Sequence, residues 1–381
     1  MKKSLIALAA LSAFATAAQA QSTVEVYGIL SGGYSSTEAE FTAANGASRS
    51  IESKTSGAQG QQSGNRIGLR GTEDLGSGLK AGFVYEAGAN LNNAFTSNAA
   101  GTDTLTRLGY VQLESANLGT IRTGRVDGLA RQVQNSYTAH GNSGFAPGNI
   151  AASYGAIGTA VTALGGDAGW SALMTAAGWG QAGGRISNTI EYITPTFSGF
   201  SAQVQMGTVE SDDSATANKT KTQDTENFGF KYNAGKFSAQ AAQEKAETAT
   251  EANPSVTTKI KTNTLGASYD FGVAKAFLAY TDRELKASSG ALQGTVDIED
   301  TTVGVSVPVG AKVVLVASYS TGDVKISGDN VTTDVDGYQL QANYLFSKRT
   351  KAYVMFGETK AKDVEGKIKL DGWVAGVQHS F

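Results

Sequence analysis

The side chains in this sequence that could do chemistry are charged rather than nucleophilic. There is no cysteine, and the two histidines are His140 and His379. Without thiolates there is no disulfide framework and no cysteine-based metal site. Neither histidine lies in a recognisable motif, so no histidine-dependent triad, metal centre or cofactor is expected. What remains is a set of regularly placed arginines. Arg66 and Arg70 flank Ile67 and Leu69, Arg107 precedes Leu108 and Tyr110, Arg122 lies between Ile121 and Thr123, and Arg185 leads into Ile186 and Ile190. Alternation of this kind sends charged and apolar side chains to opposite faces of a strand. Glu86 and Glu191 fall on the charged face of their own segments. Charges so arranged steer ions and orient dipoles; they break no bond.

The elements that must position them alternate with period two from Val24 to Phe381. In the stretch 337–346, Tyr338, Leu340, Ala342, Tyr344 and Phe346 share one face while Gln339, Gln341 and Asn343 share the other. A strand built this way is wet on one side and apolar on the other. The pattern predicts sixteen strands, near residues 23–35, 61–71, 79–91, 104–114, 119–126, 185–194, 199–209, 224–233, 236–246, 261–271, 273–286, 298–308, 311–325, 334–346, 350–361 and 370–381. Short connections such as 72–78, 194–198 and 347–349 alternate with longer polar ones at 211–223, 247–260 and 287–297. Short turns on one rim and long loops on the other describe an all-β transmembrane antiparallel β-barrel. Hydrocarbon offers no water to unpaired N–H and C=O groups, so only a sheet closed on itself can span it. A barrel of this width cannot be filled by side chains and encloses an aqueous channel.

Residues 1–20 are excluded from that fold. Lys2 and Lys3, the apolar stretch 5–15 and the small residues of Ala18-Gln19-Ala20 read as a secretory signal peptide, with cleavage between Ala20 and Gln21. The apolar stretch is too short for a spanning helix. The 31 basic side chains less Lys2 and Lys3 leave 29 against 34 acidic ones, a net charge of −5 over 21–381, which argues against nucleic acid as a partner. Within the barrel domain 21–381, the segment 127–184 alone breaks the strand rhythm, and its portion 151–177 has the composition for a short helix. A connection this long is functional or disordered. Folded inward it would narrow the bore; lying outside it would be a surface loop.

The chain resembles the general-diffusion porins of Gram-negative outer membranes, the β-proteobacterial branch in particular. The residues that carry the likeness are Asn65-Arg66-Ile67-Gly68-Leu69-Arg70-Gly71-Thr72-Glu73-Asp74-Leu75-Gly76, then Arg107-Leu108-Gly109-Tyr110, Gly119-Thr120-Ile121-Arg122-Thr123-Gly124-Arg125 and Gly184-Arg185-Ile186-Ser187-Asn188. Leu345-Phe346-Ser347-Lys348-Arg349-Thr350 and the final Gly376-Val377-Gln378-His379-Ser380-Phe381 complete it. The resemblance implies a homotrimer embedded among outer-membrane lipid and lipopolysaccharide, a third extracellular loop that constricts each pore, and Phe381 as the signal read by the barrel-assembly machinery. It places Arg66, Arg107 and Arg185 in the basic wall of the constriction, with Arg70 and Arg122 lining the same bore. Family members set acids of the infolded loop against that wall, whereas 127–184 holds only Asp127 and Asp167. The function implied is passive diffusion of ions and small hydrophilic solutes with a mild anion preference, and no catalysis. An outer-membrane enzyme, a plugged adhesive barrel and a substrate-specific channel with a file of aromatics are the alternatives.

Overall fold

The computed structural model describes residues 22–91, 106–141, 143–146, 184–213, 218–250, 253–288, 294–327, 332–364 and 366–381. The proposed signal peptide with Ala20 and Gln21, the helix-prone stretch 151–177 and Asp167 lie outside them. The strands are β1 (Thr23–Ala43), β2 (Ser48–Gln59), β3 (Arg66–Gly76), β4 (Leu79–Gly88), β5 (Thr106–Ser115), β6 (Gly119–Asp127), β7 (Arg185–Ile193), β8 (Phe200–Asp213) and β9 (Asn218–Ala234). They continue as β10 (Phe237–Thr250), β11 (Asn253–Asp270), β12 (Lys275–Ala287), β13 (Gly294–Val309), β14 (Val313–Ile326), β15 (Thr332–Leu345), β16 (Thr350–Lys362) and β17 (Gly366–Ser380). Except for β2 and β3, each pairs antiparallel with its sequence neighbour, and β17 returns to pair with β1. β2 and β3 both lie along β1, β2 opposite residues 32–42 and β3 opposite residues 23–29. They are one stave broken at residues 60–65, so the seventeen segments make a closed barrel of sixteen staves, as the alternation predicts. At the seam the N–H of Gly28 donates to the Phe381 carbonyl at 3.0 Å and the N–H of Phe381 donates to Gly28 at 3.1 Å. Among the described residues the ring of pairings thus closes on itself, as a span of hydrocarbon requires.

The two faces sort as the sequence pattern requires. Phe228, Phe230, Leu265, Tyr269, Leu340 and Tyr344 are exposed on the outside, while Asn227, Gln205 and Gln339 are buried within the bore. The turn between β3 and β4 is a two-residue hairpin in which Ser77 and Gly78 both have positive φ, 52° and 78°, the geometry that matches the twist of paired strands.

Two features depart from the sequence-based boundaries. The polar connections expected at 211–223 and 247–260 are largely strand, that at 287–297 is strand at both ends, and residues 36–59 form a paired extension of β1 and β2. Beyond the hydrocarbon the outward positions no longer need apolar side chains. Alternation therefore disappears from the sequence while backbone pairing continues. The second departure is a bulge in β5: Leu108 pairs with Glu86 and Thr106 with Ala87, leaving Arg107 without a partner residue. The extra residue reverses the parity. Leu108 and Tyr110 consequently face the lumen, not lipid, and Arg107 reaches the lumen through the bulge.

Residues 128–141 and 143–146 of the segment after β6 fold into the bore. They carry helix α1 (Leu129–Tyr137), which packs against β9, β10, β11 and β12 and buries Leu129, Val133 and Tyr137. Their spacing of four residues places them on one helical face. The inner wall makes room by omission of side chains. A Cβ built on Gly229 would lie 3.1 Å from Leu129 Cδ1, one on Gly266 2.5 Å from the Tyr137 ring, and one on Gly304 2.6 Å from Ala139 Cβ. Residues 143–146 continue across to β16 and the break between β2 and β3, where the N–H of Gly144 donates to the Gln61 carbonyl at 2.6 Å. Phe145 joins a buried apolar cluster there with Met355 and Tyr353.

Candidate functional site

The charged residues singled out in the sequence line the bore on the side that α1 leaves open. Glu86 on β4 is the centre of one group. Its Oε1 accepts from Arg107 Nε at 2.6 Å, its Oε2 accepts from the Tyr27 hydroxyl at 3.2 Å, and Arg66 Nε lies 3.9 Å away. Arg66 also donates to Ser63 Oγ at 2.8 Å. The guanidinium of Arg107 lies against the β2–β3 break, where a Cβ on Gly64 would stand 2.9 Å from Nη1. The interruption of that stave thus admits the arginine that the β5 bulge supplies.

A second group joins β5, β6 and β7. Arg122 pairs with the buried Glu191 at 3.1 Å, and its guanidinium lies 4.8 Å from the centre of the Tyr110 ring. Gln205 donates to Glu191 Oε1 at 2.8 Å and to the Asp127 carbonyl at 2.9 Å. The third group is set by Asp127 at the end of β6. Its Oδ1 accepts from Arg131 Nε at 3.0 Å, and Arg185 Nε is 3.2 Å from the same oxygen. Arg185 interacts electrostatically with Arg107, Arg131, Asp127 and Glu86 together, so the first and third groups form one field.

Of the residues expected from the sequence, Arg66, Arg107, Arg122, Arg185, Glu86, Glu191 and Asp127 therefore come together. Arg70 stands apart, paired with Glu25 at 2.8 Å and stacked on the other side of Tyr27 at 5.1 Å from the ring centre. Asp167 lies outside the described residues. Tyr27, Tyr110, Gln205 and Arg131 were not expected. Arg131 could have been read from its place four residues after Asp127 in a helix, where such pairs meet. Across the groups five arginines (66, 107, 122, 131 and 185) face three carboxylates (86, 127 and 191), an excess of two positive charges. Guanidinium stays charged under all ordinary conditions, so the excess is permanent. The side of α1 turned from the wall adds Asn135 and Ser136, both exposed and both neutral.

Among the described residues no group of His, Asp or Glu gathers closely enough to hold a metal ion. The site can attract, orient and pass ions and polar solutes.

Comparison with known proteins agrees with this geometry. A family model described as Gram-negative porin matches residues 7–364. Outer membrane porin protein 32 of Delftia acidovorans is 33% identical over the full length of both chains, and an outer membrane porin protein of Bordetella pertussis is 28% identical over the same extent. A solved structure, the anion-selective porin from Comamonas acidovorans, superposes with a TM-score of 0.65 at 26% identity and covers 95% of this chain and all of that one. Structures of OmpT from Vibrio cholerae, one described as a trimer form with a TM-score of 0.58 at 14% identity, share the fold. A closed sixteen-stave barrel, apolar outside and charged within, matched along nearly its whole length, makes this chain a member of the Gram-negative porin family, resident in the outer membrane.

Proposed function

We propose that the chain forms a water-filled channel through which ions and small hydrophilic solutes diffuse passively, with a mild preference for anions. The observation that carries this reading is the excess of arginine over carboxylate in the three charged groups, with no acid but Asp127 on the described part of the infolded segment to oppose it. Asp127 is itself held between two arginines. The Comamonas porin, described as anion-selective, supports the same sign.

The segment 127–184 sets the narrowest point, because α1 already covers the inner wall from β9 to β12. The assembly is a homotrimer, supported by the trimer form among the structural neighbours. Export proceeds through a signal peptide over 1–20 cleaved at Ala20 and Gln21, and the barrel-assembly machinery reads Phe381. The finished barrel sits among lipid and lipopolysaccharide. Deleting residues 145–180 should raise single-channel conductance in a planar bilayer while the barrel remains heat-modifiable. Unchanged conductance would return the segment to the surface.

A further inference from the structure

A helix of nine residues is too short to hold itself together in water, so what fixes α1 in the bore decides the shape of the channel. Its N-terminus is built without a cap of its own. The N-cap position is Gly128, which has no side chain, and the first turn contains no acid. The amides exposed there would otherwise be unsatisfied.

The missing group comes from the wall. Glu244 on β10 aims Oε1 at the helix N-terminus and accepts from the N–H of Ala130 at 3.0 Å, with the N–H of Leu129 also bonded to this carboxylate. Arg283 on β12 interacts with Glu244 and with Asp300 on β13, giving the buried carboxylate a countercharge. Gly128 is what permits the approach. A Cβ at that position would stand 2.5 Å from Glu244 Oε1 and 3.0 Å from the Gly184 carbonyl. Gly128 also donates its N–H to that carbonyl at 3.0 Å, which ties the two ends of the infolded segment together at the same point. At the far end of the helix the Tyr137 hydroxyl bonds Ser238 Oγ at 2.8 Å, again on β10.

We propose that Glu244 is the positioning residue of the channel: it caps α1 from the wall the helix packs on and, with Gly128, locks it there so that Arg131 and Asp127 hold their places in the charged groups. This rests on the reading that the segment narrows the bore. Negative charge at a helix N-terminus and a capping acceptor both stabilise the helical state, and loss of a cap shifts such an equilibrium roughly fivefold to thirtyfold.

The test is single-channel recording on refolded, heat-modifiable protein. Glu244→Ala should raise the time spent in altered conductance substates by at least about fivefold and move the reversal potential, as Arg131 and Asp127 lose their positions. Glu244→Gln, which keeps an acceptor oxygen, should stay within about twofold of wild type. Gly128→Ala should reproduce Glu244→Ala, and the double variant should be no worse than either single one. Wild-type substates and reversal potential in Glu244→Ala would overturn the proposal. Asn135→Trp then separates the two readings. If it lowers conductance while Glu244→Ala does nothing, α1 narrows the bore but is held by something else; if neither has an effect, the constriction reading fails as well.

Discussion

Neutralising Glu86 isolates the electrostatic part of the mechanism. Glu86→Gln keeps the shape and an acceptor for Arg107 and Tyr27, but it raises the excess of positive charge among the three charged groups from two to three. A unit charge about 7 Å from a passing ion contributes roughly 0.6 kcal/mol in water. Screening at 0.1 M salt, where the Debye length is about 10 Å, halves this to about 0.3 kcal/mol. Anions are then enriched and cations depleted by about 1.6-fold each, and the anion-to-cation permeability ratio should rise about threefold. At 1 M the Debye length is about 3 Å and the same substitution should change the ratio by only about 20%. Arg107→Ala should move the ratio the other way by a similar factor, and the two together should restore it. The assay is the zero-current potential across a tenfold KCl gradient, repeated at low and high mean salt. A Glu86→Gln channel that keeps its potential at low salt, or shifts toward cations, would refute control by this wall. So would an effect that survives 1 M salt, since that implies a change of shape.

Two further outcomes are expected. Gly28→Val at the seam would place its Cβ 2.4 Å from the Phe381 ring and 2.7 Å from the Arg66 carbonyl, so the temperature at which the barrel opens should fall, at a cost of about 1–3 kcal/mol; an unchanged transition on heat-modifiability gels would contradict it. His140 is buried with Nδ1 2.7 Å from the Gly141 carbonyl, and burial pushes its pKa down to about 4 from 6.5. Because the unfolded segment takes up the proton first, stability is full above pH 6.5 and falls by up to about 3 kcal/mol as the pH drops to 4; His140→Gln should abolish that slope in protection of 128–146 from hydrogen exchange.

The belt of the barrel was legible because hydrocarbon imposes a rule on every second residue, and Phe228, Leu265 and Leu340 obey it. The lumenal side of Arg66, Arg122 and Glu191 followed from the same rule. Where lipid ends the rule lapses, which is why residues 36–59 and 253–260 gave no strand signal yet are paired. The side on which Tyr110 lies was misread because a single unpaired residue, Arg107, inverts parity, and nothing local in the sequence marks a bulge. Helix α1 was hidden for a different reason. Leu129, Val133 and Tyr137 have the spacing of a helical face, but the start signal is missing from the neighbouring sequence, since the cap sits 114 residues away on another strand.

The strands that outrun the apolar belt give the molecule a length as well as a width. The twenty-one residues of β1 extend roughly 70 Å along the strand, which at a tilt of about 40° stands about 54 Å tall, against an apolar band of about 25 Å. With short turns on the opposite rim, most of the surplus rises on the outer side as a stiff paired sleeve rather than as pliant loops. An arriving solute thus leaves bulk solution well above the bilayer. The resistance of that antechamber would lie in series with the proposed constriction, so an alteration at the charged groups would be partly masked in total conductance but fully visible in selectivity.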